Sequence, residues 1–346
     1  MMNRLPTLED VARKAGVSKS TVSRVLNNSA KISDETRGRV LNAASELNYE
    51  PNIIARSLSK NKTFTIGVIL EDILNPFFSA VAKGIETALK ASGYSMILTS
   101  SDFDHENEMK LTRMLIQYKV DGILLTPVNH DGETVFFLKE RGIPFFIMNS
   151  RSEDKEVSWI DSDNYQGGLM ATRHLLSLGH SKFLCLRHMA IDGSRLRFEG
   201  FKAAIAEADL SMSDQIILGD AHSRRDGYEL TGRFIDENGR GAMPSAVIAV
   251  NDTVAIGVIE ALLERDLQIP EHVSVIGYDD INISSLIRVP LTTIYQPKFR
   301  MGEIAASQLV DKIERAERGV ARQFLIQPKL VERESCQTCG VVRTSR

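Results

Sequence analysis

The sequence lacks the features of a membrane-spanning or exported protein. Its longest apolar run, roughly residues 64–70, falls far short of the ~20 residues that a membrane-spanning helix needs. The opening segment, MMNRLPTLEDVARK, contains no apolar stretch of the kind that marks a secretory signal. Only three cysteines are present, and such an odd, sparse set argues against a disulfide framework. We therefore expect a cytoplasmic protein in a reducing environment.

The sequence also lacks the short motifs that mark common enzyme classes. It contains no GxxxxGK[ST] phosphate-binding loop, no GxSxG nucleophile turn and no HExxH metal motif. The predicted strand in TIGVILED is not followed by the GxGxxG of a dinucleotide-binding enzyme. The single pair Cys336-x-x-Cys339 has no further metal-ligand residues nearby, which favours a frayed polar tail 336–346 over a zinc or redox site. We expect neither an enzyme nor a bound metal or cofactor.

Charge is divided unevenly along the chain. Residues 1–62 carry 11 Lys and Arg against 6 Asp and Glu, whereas the remainder carries 31 against 39. A small basic segment on a larger acidic chain favours a polyanionic partner for the basic segment alone. The 346 residues are otherwise of ordinary globular composition, with 43% hydrophobic residues, and are long enough for two or three domains.

The first fifty residues show the signals of three short helices. TLED at residues 7–10 is a capping sequence, and Gly16 ends the helix that it starts. Ser18 can cap a second helix over residues 19 to about 27, and residues 33–36 start a third. The apolar positions expected to face inward are Leu8, Val11, Ala12, Ala15, Val22, Val25, Leu26, Val40, Leu41, Ala44 and Leu47.

Helix, glycine turn and helix is the plan of the helix-turn-helix unit. Its second helix lies in the major groove of DNA, with the N-terminal side chains at the base edges. Lys19 can donate to guanine, Ser20 is adaptable, and Arg24 can bind guanine or phosphate in bidentate fashion. The same pattern also fits a three-helix bundle with a hydrophilic outer face.

Residues 7–70 resemble the lac repressor family almost continuously. The resemblance is carried by LEDVARKAGVSKSTVSRVLNN and by TRGRVLNAASELNYEPNIIARSLSKNKTFTIGVI, in which several family motifs occur in order. It implies that Lys19, Ser20 and Arg24 read bases. A further set would position the DNA backbone, mostly through phosphates: Thr7, Ser18, Thr21, Ser23, Asn27, Tyr49 and Asn52.

The segment from Pro51 to Ser59 has apolar residues at helical spacing but is marginal as an isolated helix in water. The residues alone also fit a plain linker. In the lac repressor family the corresponding segment is a hinge that becomes helical, as a pair, on operator DNA, where a leucine enters the minor groove. The resemblance therefore implies a DNA-bending wedge at Leu58 and a groove or phosphate contact at Ala55.

From residue 63 onward, short apolar strands alternate with amphipathic helices in two successive runs. Strand TIGVIL precedes helix FFSAVAKGIETALKAS in the first run, and SAVIAV precedes VAIGVIEALLER in the second. Such alternation indicates parallel sheets with helices on both faces. Two runs predict two doubly wound lobes, and ligands of such folds bind beyond the carboxyl ends of the strands.

Asparagine and aspartate stand at the ends of four predicted strands. TIGVIL leads to Glu71-Asp72 and Asn75, IPFFIM to Asn149, SAVIAV to Asn251-Asp252, and VSVIGY to Asp279-Asp280. Such side chains suit a hydroxyl-rich ligand, because each can form two hydrogen bonds with neighbouring hydroxyls. They are also common helix caps and turn formers, which is the role that we expect for Asp252 and Asp280.

The lac repressor resemblance continues through the body in NPFF, VDGILL, RFEGF, NDTVAIG, VSVIGYDD and LTTIYQP. The core of that family is similar to periplasmic sugar-binding proteins, which implies an effector cleft between the lobes. The residues that the resemblance assigns to the cleft are Asp72, Asn75, Phe77, Asn149, Arg197, Asn251, Asp279 and Gln296. Phe77 would form an apolar wall, although plain core packing explains it equally well.

One loop departs from many sugar-responsive members of the family. Where they carry an aromatic ring shortly before residues 227–228, this chain has His222, followed by Arg224. An anionic effector, a sugar phosphate or sugar acid, could then be held by Arg197 with help from His222 or Arg224. The alternatives are a neutral sugar in the cleft and a merely solvated basic loop.

These signals predict a small all-α helix-turn-helix head joined by a hinge helix to a two-lobed α/β body of doubly wound parallel sheets, similar to periplasmic binding proteins. The predicted ranges are 1–48 for the head, 49–62 for the hinge and linker, and 63–335 for the effector-binding and dimerisation core. The first lobe is expected at about 63–161 and 295–322, and the second at about 162–294 and 323–335. The tail lacks the apolar heptads of tetrameric family members, so a homodimer is expected.

The resemblance implies a transcriptional regulator, a repressor of carbohydrate-metabolism genes that binds a near-palindromic operator on double-stranded DNA. A small sugar-like effector in the cleft (neutral sugar, sugar acid or sugar phosphate) would release it. A corepressor-dependent or dual regulator is the alternative. A stand-alone sugar carrier would need an export signal and no helix-turn-helix head, and a Rossmann-type enzyme would need its glycine motif.

Overall fold

The computed structural model describes residues 6–26, 32–49, 62–128, 132–189, 191–315 and 320–340. The chain divides into two compact units, one up to Phe64 and the other from Thr65 onward. This division falls within two residues of the predicted start of the core at residue 63.

Residues at both ends of the first helix determine where that helix begins and where it ends. Helices α1 (Leu8–Ala15), α2 (Lys19–Leu26) and α3 (Asp34–Glu46) lie within the described residues of the N-terminal unit. Thr7 and Asp10 form the expected capping box, in which the Thr7 amide donates to the Asp10 carboxylate at 2.9 Å. Gly16 ends α1 with a left-handed φ of 66°, a conformation that glycine adopts without strain. The short turn to α2 follows from that glycine.

The three helices share one apolar core. Val11, Val22 and Val40 are fully buried in it, in agreement with the predicted inward faces. Leu41 was expected to face inward, and this expectation is wrong, because the side chain is 49% exposed. Ala43 takes the buried position instead. Positions three and four residues after Val40 share its face of the helix, whereas the next residue is turned away from it.

The first lobe of the C-terminal unit is a six-stranded sheet in which all paired neighbours are parallel. Its strands are β1 (Thr65–Leu70), β2 (Ser95–Ser100), β3 (Gly122–Leu125), β4 (Phe145–Met148), β5 (Trp159–Ser162) and β11 (Gln323–Ile326). Their order across the sheet is β11-β5-β4-β3-β1-β2. The helices of this lobe are α4 (Pro76–Ala91), α5 (His105–Gln117), α6 (Glu133–Glu140) and α11 (Lys298–Arg315).

The second lobe is another six-stranded sheet, parallel except for its last strand. Its strands are β6 (Phe183–Leu186), β7 (Ile216–Leu218), β8 (Ala246–Ala249), β9 (Ser274–Asp279), β10 (Thr292–Tyr295) and β12 (Lys329–Val331), in the order β12-β10-β9-β8-β6-β7. Its helices are α7 (Asn164–Ser177), α8 (Asp192–Glu207), α9 (Arg224–Asn238) and α10 (Asp252–Leu263), with short 3₁₀ turns at Met212–Asp214, Arg240–Ala242 and Asn282–Ser285.

The chain passes between the two sheets three times, after β5, after β10 and after β11. The predicted assignment of residues 323–335 to the second lobe is wrong for β11, because Gln323–Ile326 pairs with Trp159–Ser162 in the first sheet. The third crossing therefore lies between Ile326 and Lys329. The predicted two-lobed α/β architecture is confirmed, with β12 as an antiparallel edge. No helix in the described part of the chain is long and apolar enough to cross a membrane.

Candidate DNA-reading helix and effector cleft

Helix α2 presents a polar face and buries an apolar one. Val22 and Val25 pack in the core of the N-terminal unit, while Lys19, Ser20 and Arg24 are exposed. The Lys19 ammonium lies 2.8 Å from the Glu9 carboxylate, and both side chains are more than half exposed. An ion pair so exposed contributes little, so DNA can displace it at low cost. The predicted base-reading side chains therefore share one accessible face.

Several of the predicted phosphate-contacting side chains serve the local structure as well. The Ser18 hydroxyl accepts from the Thr21 amide at 3.2 Å and so caps α2, as predicted. The Thr7 hydroxyl donates to the Asp10 carboxylate at 2.6 Å. Tyr49 is half-buried against the core of this unit, and Ser23 is half-exposed. The remaining predicted DNA contacts lie outside the described residues: Asn27, Asn52, Ala55 and Leu58.

A cavity of about 50 Å³, here called the cleft, lies at the carboxyl ends of strands from both lobes of the C-terminal unit. This is the place that the fold predicts for a ligand. Eight of the nine side chains assigned to the effector line it: Asn75, Phe77, Asn149, Arg197, His222, Asn251, Asp279 and Gln296. Asp72 does not line it, and its carboxylate instead accepts from the Leu74 amide at 2.8 Å, closing a local turn.

Arg197 is the most firmly held side chain in the cleft. Its guanidinium donates to Asn164 Oδ1 at 2.8 Å and to the Val250 carbonyl at 2.7 Å. It also lies 3.8 Å from the Asp279 carboxylate, and its central carbon is 3.7 Å from the centre of the Tyr278 ring. These contacts fix a planar donor group at the floor of the cleft before any ligand arrives.

Helix packing sets the position of Arg197. At Gly168 on α7, a Cβ atom would lie 2.0 Å from the Arg197 carbonyl oxygen on α8. Only glycine permits this approach of the two helices. The position of the Arg197 guanidinium in the cleft therefore depends on Gly168, a residue that does not itself line the cleft.

Asp279 and Gln296 form the opposite part of the floor. Gln296 donates from Nε2 to Asp279 Oδ1 at 2.7 Å, and its Oε1 is buried without a hydrogen-bond partner among the described residues. Burial raises the pKa of Asp279, while Arg197 and Gln296 oppose that rise. An acceptor left without a partner in a ligand-binding fold is available to a hydroxyl.

Asn75 and Asn251 combine two roles that the sequence left as alternatives. The Asn75 side chain accepts from the Phe77 amide at 3.0 Å and caps α4, and the Asn251 side chain accepts from the Val254 amide at 2.7 Å and caps α10. Both also line the cleft. Phe77 likewise has both of its expected roles. It lines the cleft as an apolar wall, and its side chain is almost completely buried.

A small aromatic cluster bridges the two lobes at the cleft. Phe103, which follows β2 of the first lobe, lies with its ring centre 5.6 Å from that of His222. The His222 ring is 5.5 Å from the ring of His188, in an edge-to-face arrangement. Burial and the neighbouring His222 lower the pKa of His188. Sequence reasoning missed Phe103, because it stands in a loop with no signal of its own.

Arg224, which was proposed to help Arg197 hold an anionic effector, is paired elsewhere. Arg224 Nε lies 2.8 Å from the Glu260 carboxylate, its side chain is 64% exposed, and it does not line the cleft. The prediction that Arg224 assists effector binding is therefore wrong, because it belongs to an exposed ion pair. Asp280 pairs with Arg333 at 2.6 Å.

Asp252 is not a helix cap, contrary to expectation. It is completely buried and accepts from the Ile281 amide and from the hydroxyls of Ser284 and Thr293. Burial and the nearby Asp279 raise its pKa to about 7. It therefore holds the loop that follows β9, beneath the cleft.

Glu71 is the main cleft residue that sequence reasoning missed. It directly follows β1, is 5% exposed and lines the cleft. Burial, with the Glu108 carboxylate nearby, raises its pKa to about 8. The signal was present, because the same strand-end argument that selected Asp72 applies equally to the residue before it.

Comparison with known proteins extends these observations to the whole chain. Bacterial regulatory proteins of the lacI family match residues 7–52, and the periplasmic binding protein-like domain matches residues 172–336. The Escherichia coli (strain K12) ribose operon repressor is 36% identical over 320 residues, which are 89% of this chain and 93% of that protein. The Haemophilus influenzae (strain PittEE) transcriptional repressor PurR is 34% identical, over 96% of this chain and 99% of its own.

Solved structures give the same result. A lac repressor dimer bound to operator and the anti-inducer ONPF matches 96% of this chain and 100% of its own, with a TM-score of 0.86 and 26% identity. A LacI family transcriptional regulator from Enterococcus faecium with bound ribose matches 79% of this chain and 99% of its own, with a TM-score of 0.71 and 32% identity. The chain belongs to the lacI family of bacterial regulatory proteins, which are DNA-binding transcriptional regulators and not enzymes.

Proposed function

We propose that the protein is a cytoplasmic repressor of carbohydrate-metabolism genes, which binds a near-palindromic operator as a homodimer and is released by a small hydroxylated effector. One observation carries the effector half of this proposal. Amide, carboxylate and guanidinium groups from both lobes converge on a single cleft, beside the apolar wall of Phe77. The similarity to a ribose operon repressor and to a ribose-bound family member supports the same ligand class.

The charges around the cleft favour a ligand without negative charge. The only Lys or Arg among the described lining residues is Arg197, and it faces Asp279 at 3.8 Å. Glu71 adds a second carboxyl group to the lining. A phosphate or carboxylate would meet these groups without a spare guanidinium, so it would be bound less well than hydroxyls.

A ligand in the cleft can act on DNA binding because it contacts both lobes. Asn75 and Asn149 belong to the first lobe, and Arg197 and Asn251 to the second. A ligand that bonds to both sets stabilises one arrangement of the lobes over another. If that arrangement is the one with lower operator affinity, the ligand is an inducer, and by linkage the operator weakens ligand binding equally.

Operator selection followed by release tests the proposal. The full-length protein would first be used to select duplexes from a random library, and the selected sequence is expected to be a near-palindrome. Fluorescence anisotropy would then measure the affinity for that duplex with and without ribose and related neutral sugars. Weaker binding in the presence of a sugar supports release. Tighter binding would make the effector a corepressor, and a failure to select any sequence would remove the operator-binding function.

A further inference from the structure

We propose that a second cavity, which borders the cleft and is lined by Glu71, Ser150, His188 and Asp192 among others, is a subsite for an amino group, so that the effector is an amine-bearing sugar or polyol. This inference rests on the proposed effector function of the cleft and narrows its ligand class. The second cavity, here called the acidic subsite, holds about 200 Å³, against about 50 Å³ for the cleft.

The two cavities share part of their lining. Glu71, Phe103, Asn149, His188 and Ile191 border both of them. A ligand whose hydroxylated ring sits against Arg197 and Asp279 can therefore extend an arm past Asn149 into the acidic subsite.

Buried polar atoms in the acidic subsite are left without partners. The Ser150 side chain is 4% exposed, and its hydroxyl has no hydrogen-bond partner among the described residues. The buried Nδ1 atom of His188 is also without a partner there. Proteins rarely leave such atoms unpaired, because an unmet hydrogen bond in a buried place is unfavourable. A polar group supplied by a ligand in this cavity is the kind of partner that these atoms lack.

The charge of the subsite selects the kind of polar group. Two carboxyl groups, Glu71 and Asp192, line it, and the described lining includes no Lys or Arg. Arg195 lies 3.1 Å from Asp192, which leaves the Glu71 carboxyl, 5% exposed, as the group most in need of a counter-charge. The fully buried Glu108 carboxyl also disfavours ionisation of Glu71, so a positive charge beside Glu71 would be stabilising.

An ammonium group meets these conditions better than a hydroxyl or an anion. It carries three donors and a positive charge, and it has no acceptor that would need a donor from the protein. Burial and Glu108 raise the pKa of Glu71 to about 8 although Arg197 acts in the opposite direction, so the ionised form of Glu71 is only partly compensated by the protein. A bound cation would favour that ionised form, whereas a phosphate or carboxylate would be repelled by it.

Matched sugars test the subsite directly. The full-length protein would be titrated by calorimetry with D-glucose, D-glucosamine and D-glucuronate, and with the corresponding galactose series. We expect the amine of at least one series to bind about tenfold or more tighter than its neutral parent, a typical gain from a buried charge-assisted hydrogen bond. The uronate is expected to bind worst.

Two variants assign the effect to the subsite. Glu71→Gln keeps the size of the side chain and removes its charge, so it should erase the preference for the amine over its neutral parent. Ser150→Ala should weaken binding of the amine more than binding of the neutral sugar. This variant provides the test if Glu71→Gln does not fold. Glu86→Gln, which removes an exposed carboxylate on α4, is the matched control and should bind like the parent.

The outcomes separate this inference from the proposed function. Equal binding of neutral sugar and amine, or an amine preference that survives both variants, overturns the subsite while the cleft keeps its role. If none of these sugars binds, the subsite fails, and release of the operator by ribose still tests the effector half of the proposed function. If ribose also has no effect, both fail together, and operator selection still tests the DNA-binding half.

Discussion

Arg197 on α8 and Asp279 at the end of β9 face each other at the floor of the cleft, with 3.8 Å between the guanidinium Nη2 and the carboxylate Oδ1. The same Asp279 oxygen accepts from Gln296 at 2.7 Å. The pair is close to neutral as a unit, so it offers a ligand oriented donors and acceptors rather than net charge. Hydroxyl groups, which both donate and accept, match such a floor.

Removal of Arg197 should separate effector binding from DNA binding. Arg197→Ala deletes the bonds to Asn164 and Val250 and leaves Asp279 buried without its counter-charge. We expect the effector response to disappear, operator affinity to persist, and the free energy of unfolding to fall by about 1–3 kcal/mol. Anisotropy with operator and effector, together with denaturant unfolding, measures these quantities.

Arg224→Ala is the matched control, because this arginine pairs with Glu260 on the exposed surface. The response should survive in that variant. An Arg197→Ala protein that is still released by the effector would place the effector site elsewhere.

A substitution away from the cleft should displace Arg197 indirectly. At Gly168→Ala the new methyl carbon would lie 2.0 Å from the Arg197 carbonyl oxygen, so α7 and α8 must separate. We expect weaker effector binding and a loss of about 1–3 kcal/mol in the free energy of unfolding. Gly241→Ala, where a Cβ has no atom within 4 Å, should change neither quantity. Unchanged effector affinity in Gly168→Ala would show that the guanidinium position does not depend on this helix contact.

Most of the fold was predictable from the sequence, because the period of the hydrophobic residues and the lengths of the apolar runs indicate the same helices and strands. The prediction missed β5, whose four residues Trp159–Ser162 include a buried aspartate, Asp161, that interrupts the apolar pattern. It misplaced β11 because Gln323–Ile326 alternates between exposed and half-buried positions and pairs only at the edge of the first sheet. Which lobe an edge strand joins is decided by tertiary packing, which local pattern does not encode.

The cleft was predictable to the extent that parallel strands end at one edge. That rule, with the family resemblance, located Asn149, Asn251 and Asp279. It selected Asp72 where the adjacent Glu71 lines the cleft, because a single step along the chain decides which side chain faces the cleft. It also could not show that Arg224 would be held by Glu260, a contact between residues 36 positions apart in the chain.

Base reading by α2 predicts a sequence-specific loss at Arg24. Arg24 is exposed on the polar face of that helix. Arg24→Ala should weaken binding to the selected operator by about 5- to 150-fold, which corresponds to 1–3 kcal/mol for a bidentate base contact. Competition with base-substituted duplexes would show relaxed preference at one position. Arg13→Ala, which removes an exposed arginine from α1, is the control and should leave that preference intact. A uniform loss across all duplexes would make Arg24 a phosphate contact instead.

The hinge predicts a different signature at Leu58, which lies outside the described residues. A side chain that enters the minor groove stabilises bent operator DNA but has no role on straight, non-specific DNA. Leu58→Ala should therefore weaken operator binding much more than non-specific binding, as measured by anisotropy at one salt concentration. Leu58→Ile, which keeps the apolar bulk, should retain most of the affinity. Equal losses on both kinds of DNA in Leu58→Ala would remove the wedge role.

The buried Glu71 predicts how stability depends on pH. Burial and the neighbouring Glu108 raise its pKa from 4.5 to about 8, with Arg197 acting in the opposite direction and Asp161 and Asp192 adding to the rise. Between these two pH values the folded protein holds a proton that the unfolded chain has released. The contribution of this carboxyl to stability is therefore complete below pH 4.5 and is lost as the pH rises through 8.

Glu71→Gln carries a neutral amide at every pH and so escapes that loss. The variant should gain stability relative to the parent as the pH rises from 4.5 towards 8, and the difference should then level off. Urea unfolding of both proteins across this interval measures the difference, in which the other buried carboxyls, Asp161 and Asp252, largely cancel. Glu86→Gln should show no such trend, because that carboxylate is exposed and paired with Lys83. A difference between Glu71→Gln and the parent that stays constant with pH would mean that the Glu71 carboxyl already has a counter-charge in the folded protein.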